Sequence, residues 1–178
     1  YGICEMLLAG ITTFVDMYYF EDEVAKACEE LGIRGFLGET VIGQPTCDSP
    51  EPYGGLEYGE RFINEWKGNR LVTPVVAPHA TYSLSPEMLK RSFELAEKYD
   101  VPYTIHVCEM EHEMEKFRTE YGKTPVEVMA DLGILDRRTL AAHCVYMEEK
   151  DMELFARHGV SVAHCIGSNT KGGRGVAP

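Results

Sequence analysis

Hydrophobic and polar positions divide the chain into short apolar runs and longer amphipathic stretches, which alternate along the sequence. The short runs are almost continuously apolar, which is the pattern of parallel strands covered on both faces. The predicted strands are Thr12–Met17, Arg34–Thr40, Leu71–Ala77, Tyr103–Val107, Thr139–Cys144 and Ser161–Cys165. The predicted helices are Glu21–Leu31, Leu56–Trp66, Pro86–Tyr99, Thr124–Leu132 and Glu149–His158.

Residues at the helix boundaries support this division. Ser85 precedes Pro86, which pairs a capping side chain with a proline at the first helical position. Gly32 and Gly159 follow two predicted helices and can end them. Strands separated by helices predict parallel βαβ units and therefore an α/β fold. Two architectures fit this order, a doubly wound open sheet and part of an eight-stranded barrel.

Length and charge narrow the class of protein. A chain of 178 residues predicts one domain with a substantial core. Its formal net charge of −12 argues against a nucleic-acid groove or an anionic membrane surface as partner. The sequence has neither an apolar run of the roughly 20 residues that span a bilayer nor a signal peptide, so we expect a soluble cytoplasmic protein. Six cysteines without a CxxC pair predict reduced, mostly buried thiols.

The placement of the histidines indicates where the chemistry lies. Four of the six end an apolar run directly before a turn: His79, His106, His143 and His164. The carboxyl ends of parallel strands meet on one face, and histidine both binds metals and transfers protons. We therefore expect a site there, although each histidine taken singly could be a hydrogen-bonded core residue. His112 and His158 lie in charged helical sequence and are expected at the surface.

Glu109 is the candidate acid–base group, because it follows the strand-end His106 by three residues and could return above the same cavity. A glutamate beside a metal-bound water can carry protons if burial raises its pKa toward neutrality. The alternative is an exposed charge that opens an acidic helix over Glu109–Glu120. Three more glutamates of that helix are expected to be exposed: Glu111, Glu113 and Glu115. His79 has no acidic neighbour in the sequence, which favours contact with substrate over metal ligation.

Five motifs in order carry a family resemblance: Gly10–Met17, Ala77–Tyr82, Ile105–Glu109, Ala141–Val145, and Val162–His164 followed by Ser168-Asn169. With them the chain resembles the amidohydrolase superfamily nearly end to end. The resemblance is to the 5-methylthioadenosine/S-adenosylhomocysteine deaminase group and its chlorohydrolase relatives. It implies a metal-dependent (β/α)8 TIM-type barrel, of which residues 1–178 would form one partial domain with about strands two to seven.

The resemblance also assigns roles to single residues. It implies that His106 is a metal ligand and that His79 binds substrate. Glu109 would contact substrate and move protons between the attacking water and the ring, and His143 would orient that water beside the metal. The role of His164 stays open. The implied cofactor is one divalent metal per intact site, zinc or alternatively iron.

The implied activity is hydrolytic deamination of a purine nucleoside derivative, in which a metal-bound hydroxide attacks the ring carbon, Glu109 protonates a ring nitrogen and ammonia leaves. The implied partner is a small N-heterocyclic substrate. Guanine deaminase and triazine hydrolase are alternatives within the family. A truncated, non-catalytic relative and an open sheet with purely structural histidines are the alternatives outside it.

The sequence departs from the family pattern in four places, one of which is Cys165-Ile166-Gly167 after His164, where the family usually reads Asn-Pro. The family's first-strand His-x-His pair and its eighth-strand Asp would precede Tyr1 and follow Pro178, so we expect a piece of something longer. The family's arginine after strand three has no clear match, and Arg61 is the nearest candidate. The isolated chain is therefore expected to bind metal weakly, to be inactive, and to associate with itself through open barrel edges.

Overall fold

A computed structural model describes residues 1–178. Its strands are β1 (Thr13–Tyr18), β2 (Arg34–Val41), β3 (Val72–Pro74), β4 (Ala77–Pro78), β5 (Tyr103–Val107), β6 (Thr139–His143) and β7 (Ser161–Ala163). Its helices are α1 (Gly2–Leu8), α2 (Glu21–Leu31), α3 (Gly55–Trp66), α4 (Pro86–Tyr99), α5 (Glu111–Tyr121), α6 (Pro125–Asp131), α7 (Glu149–His158) and α8 (Ile166–Lys171). None of these helices has the length and apolar character needed to cross a membrane.

The predicted α/β fold is confirmed, with several differences in detail. The single strand expected over Leu71–Ala77 is split into β3 and β4, and α8 was not anticipated from the sequence. Of the six thiols, only Cys28, Cys108 and Cys144 are buried, so the expectation of mostly buried cysteines is half right.

All strands pair in parallel, and each pairs with a neighbour in chain order except β4, which continues the line of β3 along β2. One sheet runs β1-β2-β3 with β4 also on β2, and the other runs β5-β6-β7. The segment between them hydrogen bonds to both sheets: the Val75 amide donates to Leu37 of β2, and the Val76 amide donates to Pro102 beside β5. Parallel bridges from Val76 to Tyr103 and from Ala80 to His106 complete this connection. The segment is divided into β3 and β4 because two successive amides donate in opposite directions: that of Val75 toward β2 and that of Val76 toward β5.

Two hydrophobic clusters cover the sheets. The larger has 22 buried residues around β5 and β6, where Phe93 of α4 meets Tyr103 edge to face at 5.3 Å between ring centroids. The smaller has seven buried residues, including Phe62 and Trp66 of α3, and covers β2. Burial of such apolar surface is the main favourable contribution to folding, and it fixes the helices behind the strand ends.

The helix ends follow the signals in the sequence. The Ser85 hydroxyl accepts a hydrogen bond from the Met88 amide at 3.3 Å and caps α4. Gly32 and Gly159 both adopt left-handed backbone angles where α2 and α7 end, which glycine does at little cost.

A buried acidic cluster lies where β1 and β2 end. Glu21 and Glu39 are both buried, and the Glu21 amide donates to Glu39 Oε2 at 3.3 Å. The Asp48 side chain, in the loop before α3, shares a hydrogen bond with the Glu39 side chain. It also accepts a hydrogen bond from the Phe20 amide at 2.7 Å. Burial is the main cause that raises the pKa of Glu21 to about 8 and of Glu39 to about 9. Both side chains are therefore mostly protonated at neutral pH.

The first helical residue of α3 lies directly against the backbone of β2. A Cβ atom on Gly55 would come within 2.1 Å of the Thr40 carbonyl oxygen, and a backbone atom cannot move aside cheaply. We expect Gly55→Ala to destabilise the fold by about 1–3 kcal/mol, as overpacked substitutions do. Urea unfolding measures this change.

The matched control is Gly59→Ala in the same helix, where a Cβ would meet nothing within 4 Å. Alanine is the better helix former, so this variant should be neutral or more stable by about 0.5–1 kcal/mol. Equal destabilisation by both substitutions would contradict the close approach of α3 to β2.

Candidate active site

Three of the four strand-end histidines come together on one face. The His106 ring lies 5.1 Å from the His79 ring and 5.1 Å from the His143 ring, measured between centroids. The three side chains follow β4, end β6 or lie within the last residues of β5, so the parallel pairing aligns them. His164 is exposed after β7 and does not join this group. His112 and His158 are exposed, as expected.

Hydrogen bonds fix the orientation of two of these rings. His106 Nδ1 lies 2.5 Å from the carbonyl oxygen of His79, and His143 Nδ1 lies 2.6 Å from Asn169 Oδ1. Because both partner atoms are acceptors, each Nδ1 carries a proton; the neutral His106 ring then keeps its lone pair on Nε2, whereas His143 Nε2 lies 3.6 Å from Glu109 Oε1. Metal-binding histidines typically show this arrangement, since the second nitrogen's partner sets the tautomer.

The donor set fits a metal ion only in part. His106 and His143 supply two neighbouring imidazole rings, and burial lowers the pKa of His106, which keeps that ring neutral with a lone pair on Nε2. Among residues 1–178, no group of three or more His, Cys, Asp or Glu side chains is arranged to hold a metal. A catalytic zinc site typically has three protein ligands, so these residues provide part of one.

Glu109 returns over the histidines rather than lying on an exposed helix. It is buried, α5 begins two residues later, and its Oε1 lies 3.6 Å from His143 Nε2. The same oxygen lies 3.4 Å from Nη1 of Arg174. The site thus places a buried carboxylate between an imidazole and a guanidinium, where it can exchange protons with a bound molecule.

Left-handed backbone angles shape the strand ends at this site. The φ angles are +50° at Cys108, +74° at His143 and +53° at Cys144, although none of these residues is glycine. Such conformations cost on the order of 1–3 kcal/mol each and persist only where the surroundings enforce them. They turn the chain sharply after β5 and β6, which brings Glu109 back over the site and directs His143 toward it.

His79 and the loop that follows it line one side of the site. Its Nδ1 lies 2.9 Å from the Ser83 hydroxyl, and its ring meets the Tyr82 ring edge to face at 5.9 Å. Burial lowers the pKa of His79. Its neutral ring at the edge of the histidine group is placed to contact a molecule bound over them.

One expectation about charged residues is wrong, and one candidate arginine is engaged elsewhere. Glu113 is fully buried rather than exposed, and it accepts hydrogen bonds from two backbone amides and a hydroxyl. It occupies the third position of α5, from which glutamates often reach back to the preceding amides, and that position was the available signal. The guanidinium of Arg61, on α3, pairs instead with Asp22 of α2 at 2.7 Å. Glu111 and Glu115 are exposed, as predicted.

Sequence reasoning missed the specific contacts of Asn169 and Arg174. Asn169 is buried at α8 and binds His143 through its side chain, while its backbone oxygen accepts the Arg174 amide at 2.8 Å. Gly172 makes room for the arginine, since a Cβ there would come within 2.8 Å of Arg174 Nη1. The sequence marks Ser168-Asn169 only as the end of a family motif, and without the prediction of α8 it gives no contact for either residue.

The family model described as "Amidohydrolase family" matches residues 1–178. The chain belongs to the amidohydrolase family. It is 42% identical over 177 residues to 5-methylthioadenosine/S-adenosylhomocysteine deaminase from Aquifex aeolicus, covering 99% of this chain and 41% of that protein. The chain thus spans about two fifths of the length of the curated relatives that it matches.

Solved amidohydrolase structures share this fold. An adenosine deaminase from Xanthomonas campestris with bound zinc superposes with a TM-score of 0.94 at 30% identity, covering 99% of this chain and 40% of that one. A mutant atrazine chlorohydrolase from Arthrobacter aurescens, in complex with zinc and atraton, gives 0.88 at 25% identity, covering 99% and 43%.

The Asn169 side chain should set the tautomer of His143. In Asn169→Ala the Nδ1–H loses its acceptor, so we expect His143 to shift toward the Nε2–H form and the protein to lose about 1–3 kcal/mol of stability. Ring ¹⁵N chemical shifts report the tautomer directly. In the control Asn64→Ala, on the exposed side of α3, the His143 shifts should not change. An unchanged His143 tautomer in Asn169→Ala would contradict the assignment.

Proposed function

We propose that this chain is the central part of a metal-dependent hydrolase that deaminates adenosine derivatives of the 5-methylthioadenosine/S-adenosylhomocysteine type. The observation that carries the proposal is one arrangement: His106 and His143 each donate Nδ1–H to an acceptor, and the buried Glu109 carboxylate lies 3.6 Å from His143 Nε2. The name of the Aquifex relative, at 42% identity, supports the substrate class.

We further propose that the strands form part of a (β/α)8 barrel, about strands two to seven, in one domain. Two observations support this. All strand pairs are parallel, and they follow the order of the chain without the reversal that defines a doubly wound sheet. The site residues also gather at the carboxyl ends of the strands, where barrel enzymes bind substrate. A cytoplasmic location stays a prediction.

Each residue of the candidate site would have its own role in the reaction. A divalent metal, zinc or alternatively iron, supplies a Lewis acid when bound. His106 would hold it through Nε2. Glu109 would take a proton from the attacking water and pass it to a ring nitrogen of the substrate, since its buried carboxylate lies within reach of a ligand above His143. His143, held by Asn169, would orient the attacking water, and His79 would contact the purine ring.

A triazine hydrolase is the second candidate, because the atrazine chlorohydrolase shares the fold over 99% of this chain. Guanine deamination is the third. Product assays distinguish the three candidates. Ammonia would be released from adenosine derivatives by the first and from guanine by the third, and chloride would be released from chlorotriazines by the second. A non-catalytic relative would release neither product from any of these compounds.

Metal analysis tests the site. We expect the 178-residue chain to hold zinc or iron well below one equivalent and to release no ammonia, because it supplies one assigned ligand, His106, of about three. His106→Ala should abolish the residual metal, whereas His158→Ala on the exposed end of α7 should not. Turnover of methylthioadenosine by the purified chain, abolished by a chelator, would show that the chain is active alone.

In the native protein that carries this sequence, Glu109→Gln should lower kcat for ammonia release by about 10²–10⁴-fold, the usual contribution of general acid–base catalysis. Glu111→Gln at the exposed start of α5 is the matched control and should retain full activity. Equal activity in Glu109→Gln would exclude the proposed proton transfer.

We also propose that the chain associates with itself through the outer strands. β1 pairs only with β2 and β7 only with β6, and both present apolar side chains, with Val15 at 48% and Val162 at 47% exposure. Open strand edges with such residues pair readily. Light scattering should give a dimer or larger species, reduced by Val15→Lys or Val162→Lys and not by Leu31→Lys on α2. A monodisperse monomer would contradict this.

A further inference from the structure

A carboxylate outside the catalytic group joins two parts of the site. Glu113 is fully buried in the first turn of α5. Its Oε1 accepts the Cys108 amide at 2.9 Å and the Thr81 hydroxyl at 2.5 Å, and its Oε2 accepts the Glu109 amide at 2.9 Å. Both oxygens are therefore occupied by donors, and no cation pairs with them.

The three donors belong to the segments that carry the candidate site residues. Cys108 and Glu109 form the turn after β5, in which Cys108 has a φ angle of +50°. Thr81 lies in the loop after β4, between His79 and Tyr82. One side chain thus fixes the backbone of the proton-transfer residue and ties it to the loop of the substrate-contacting histidine.

We propose that Glu113 is a positioning residue for the deamination reaction. It holds the Glu109 backbone and the His79 loop at a fixed separation, so that a ring bound over the histidines meets both groups. This inference rests on the proposed function, because Glu113 would act on the same site. It adds a residue that touches no substrate and acts through Glu109 and Thr81.

The need for a carboxylate follows from the hydrogen-bond inventory. A carboxylate only accepts, and it has lone pairs on both oxygens for all three donors. A glutamine of the same shape would turn an N–H₂ group toward at least one of these donors and leave it unpaired. Displacement of a reacting group by about 1 Å can cost on the order of 10²-fold in rate.

The chain contains a matched control for this side chain. Asp151 is also fully buried in the first turn of a helix, α7, and accepts the Thr124 hydroxyl at 2.5 Å and the Glu148 amide at 2.9 Å. Neither partner belongs to the site. Asp151→Asn therefore removes the same kind of brace and reports the cost to stability alone.

The experiment compares Glu113→Gln with Asp151→Asn in the native, metal-loaded protein. Both should lower the free energy of unfolding in urea. Only Glu113→Gln should speed hydrogen exchange at the Cys108 and Glu109 amides, by about tenfold or more, and lower kcat by about 10- to 100-fold with KM within twofold. An equal fall of kcat in Asp151→Asn, or unchanged exchange and kcat in Glu113→Gln, would overturn the proposal.

A second pair of variants covers the case in which Glu113→Gln does not fold. Thr81→Val removes one donor from Glu113, and Thr124→Val removes the equivalent donor from Asp151. Thr81→Val should lower kcat by a smaller factor, and Thr124→Val should leave it unchanged; the opposite order would refute the role. If the wild type deaminates no adenosine derivative, the proposed function fails, and amide exchange alone then decides whether Glu113 fixes the turn.

Discussion

Residues Val75 to Ala80 hydrogen bond to β2 on one side and to β5 on the other, and this double pairing holds the two sheets in one parallel array. The same segment delivers His79, whose carbonyl oxygen accepts both the amide and the Nδ1–H of His106. Backbone pairing and ring orientation therefore depend on one stretch of chain. Because a buried backbone group without a partner is costly, the segment cannot shift without disturbing the histidines.

Much of the fold could be predicted because its signals are local. The strand Tyr103–Val107 and the helix Pro86–Tyr99 have the predicted bounds, since each combines an apolar pattern with clear end signals. The histidines at strand ends could also be predicted to meet, because parallel strands bring their carboxyl ends to one face. The pattern could not tell which would meet: His79 and His164 each follow their strand by one residue, yet only His79 joins the group, while His164 is exposed.

The contacts that tune the site could not be predicted, because they join residues distant in sequence. Asn169 lies 26 positions from His143, and Thr81 lies 32 positions from Glu113. Glu113 looks like any acidic residue on a charged helix until the turn after β5 places two amides over it. The break between β3 and β4 has the same origin, since local propensity cannot show that a strand must serve two neighbours.

The acidic pair at the ends of β1 and β2 changes how the protein's charge should be counted. With pKa values of about 8 and about 9, Glu21 and Glu39 hold protons at pH 7, so the molecule carries two fewer negative charges than its formal −12. The unfolded chain would release both protons near the ordinary glutamate pKa. Their contribution to stability is thus present in acid and disappears as pH rises through 8 and 9. In alkaline solution both carboxyl groups would become negatively charged next to the loop before α3.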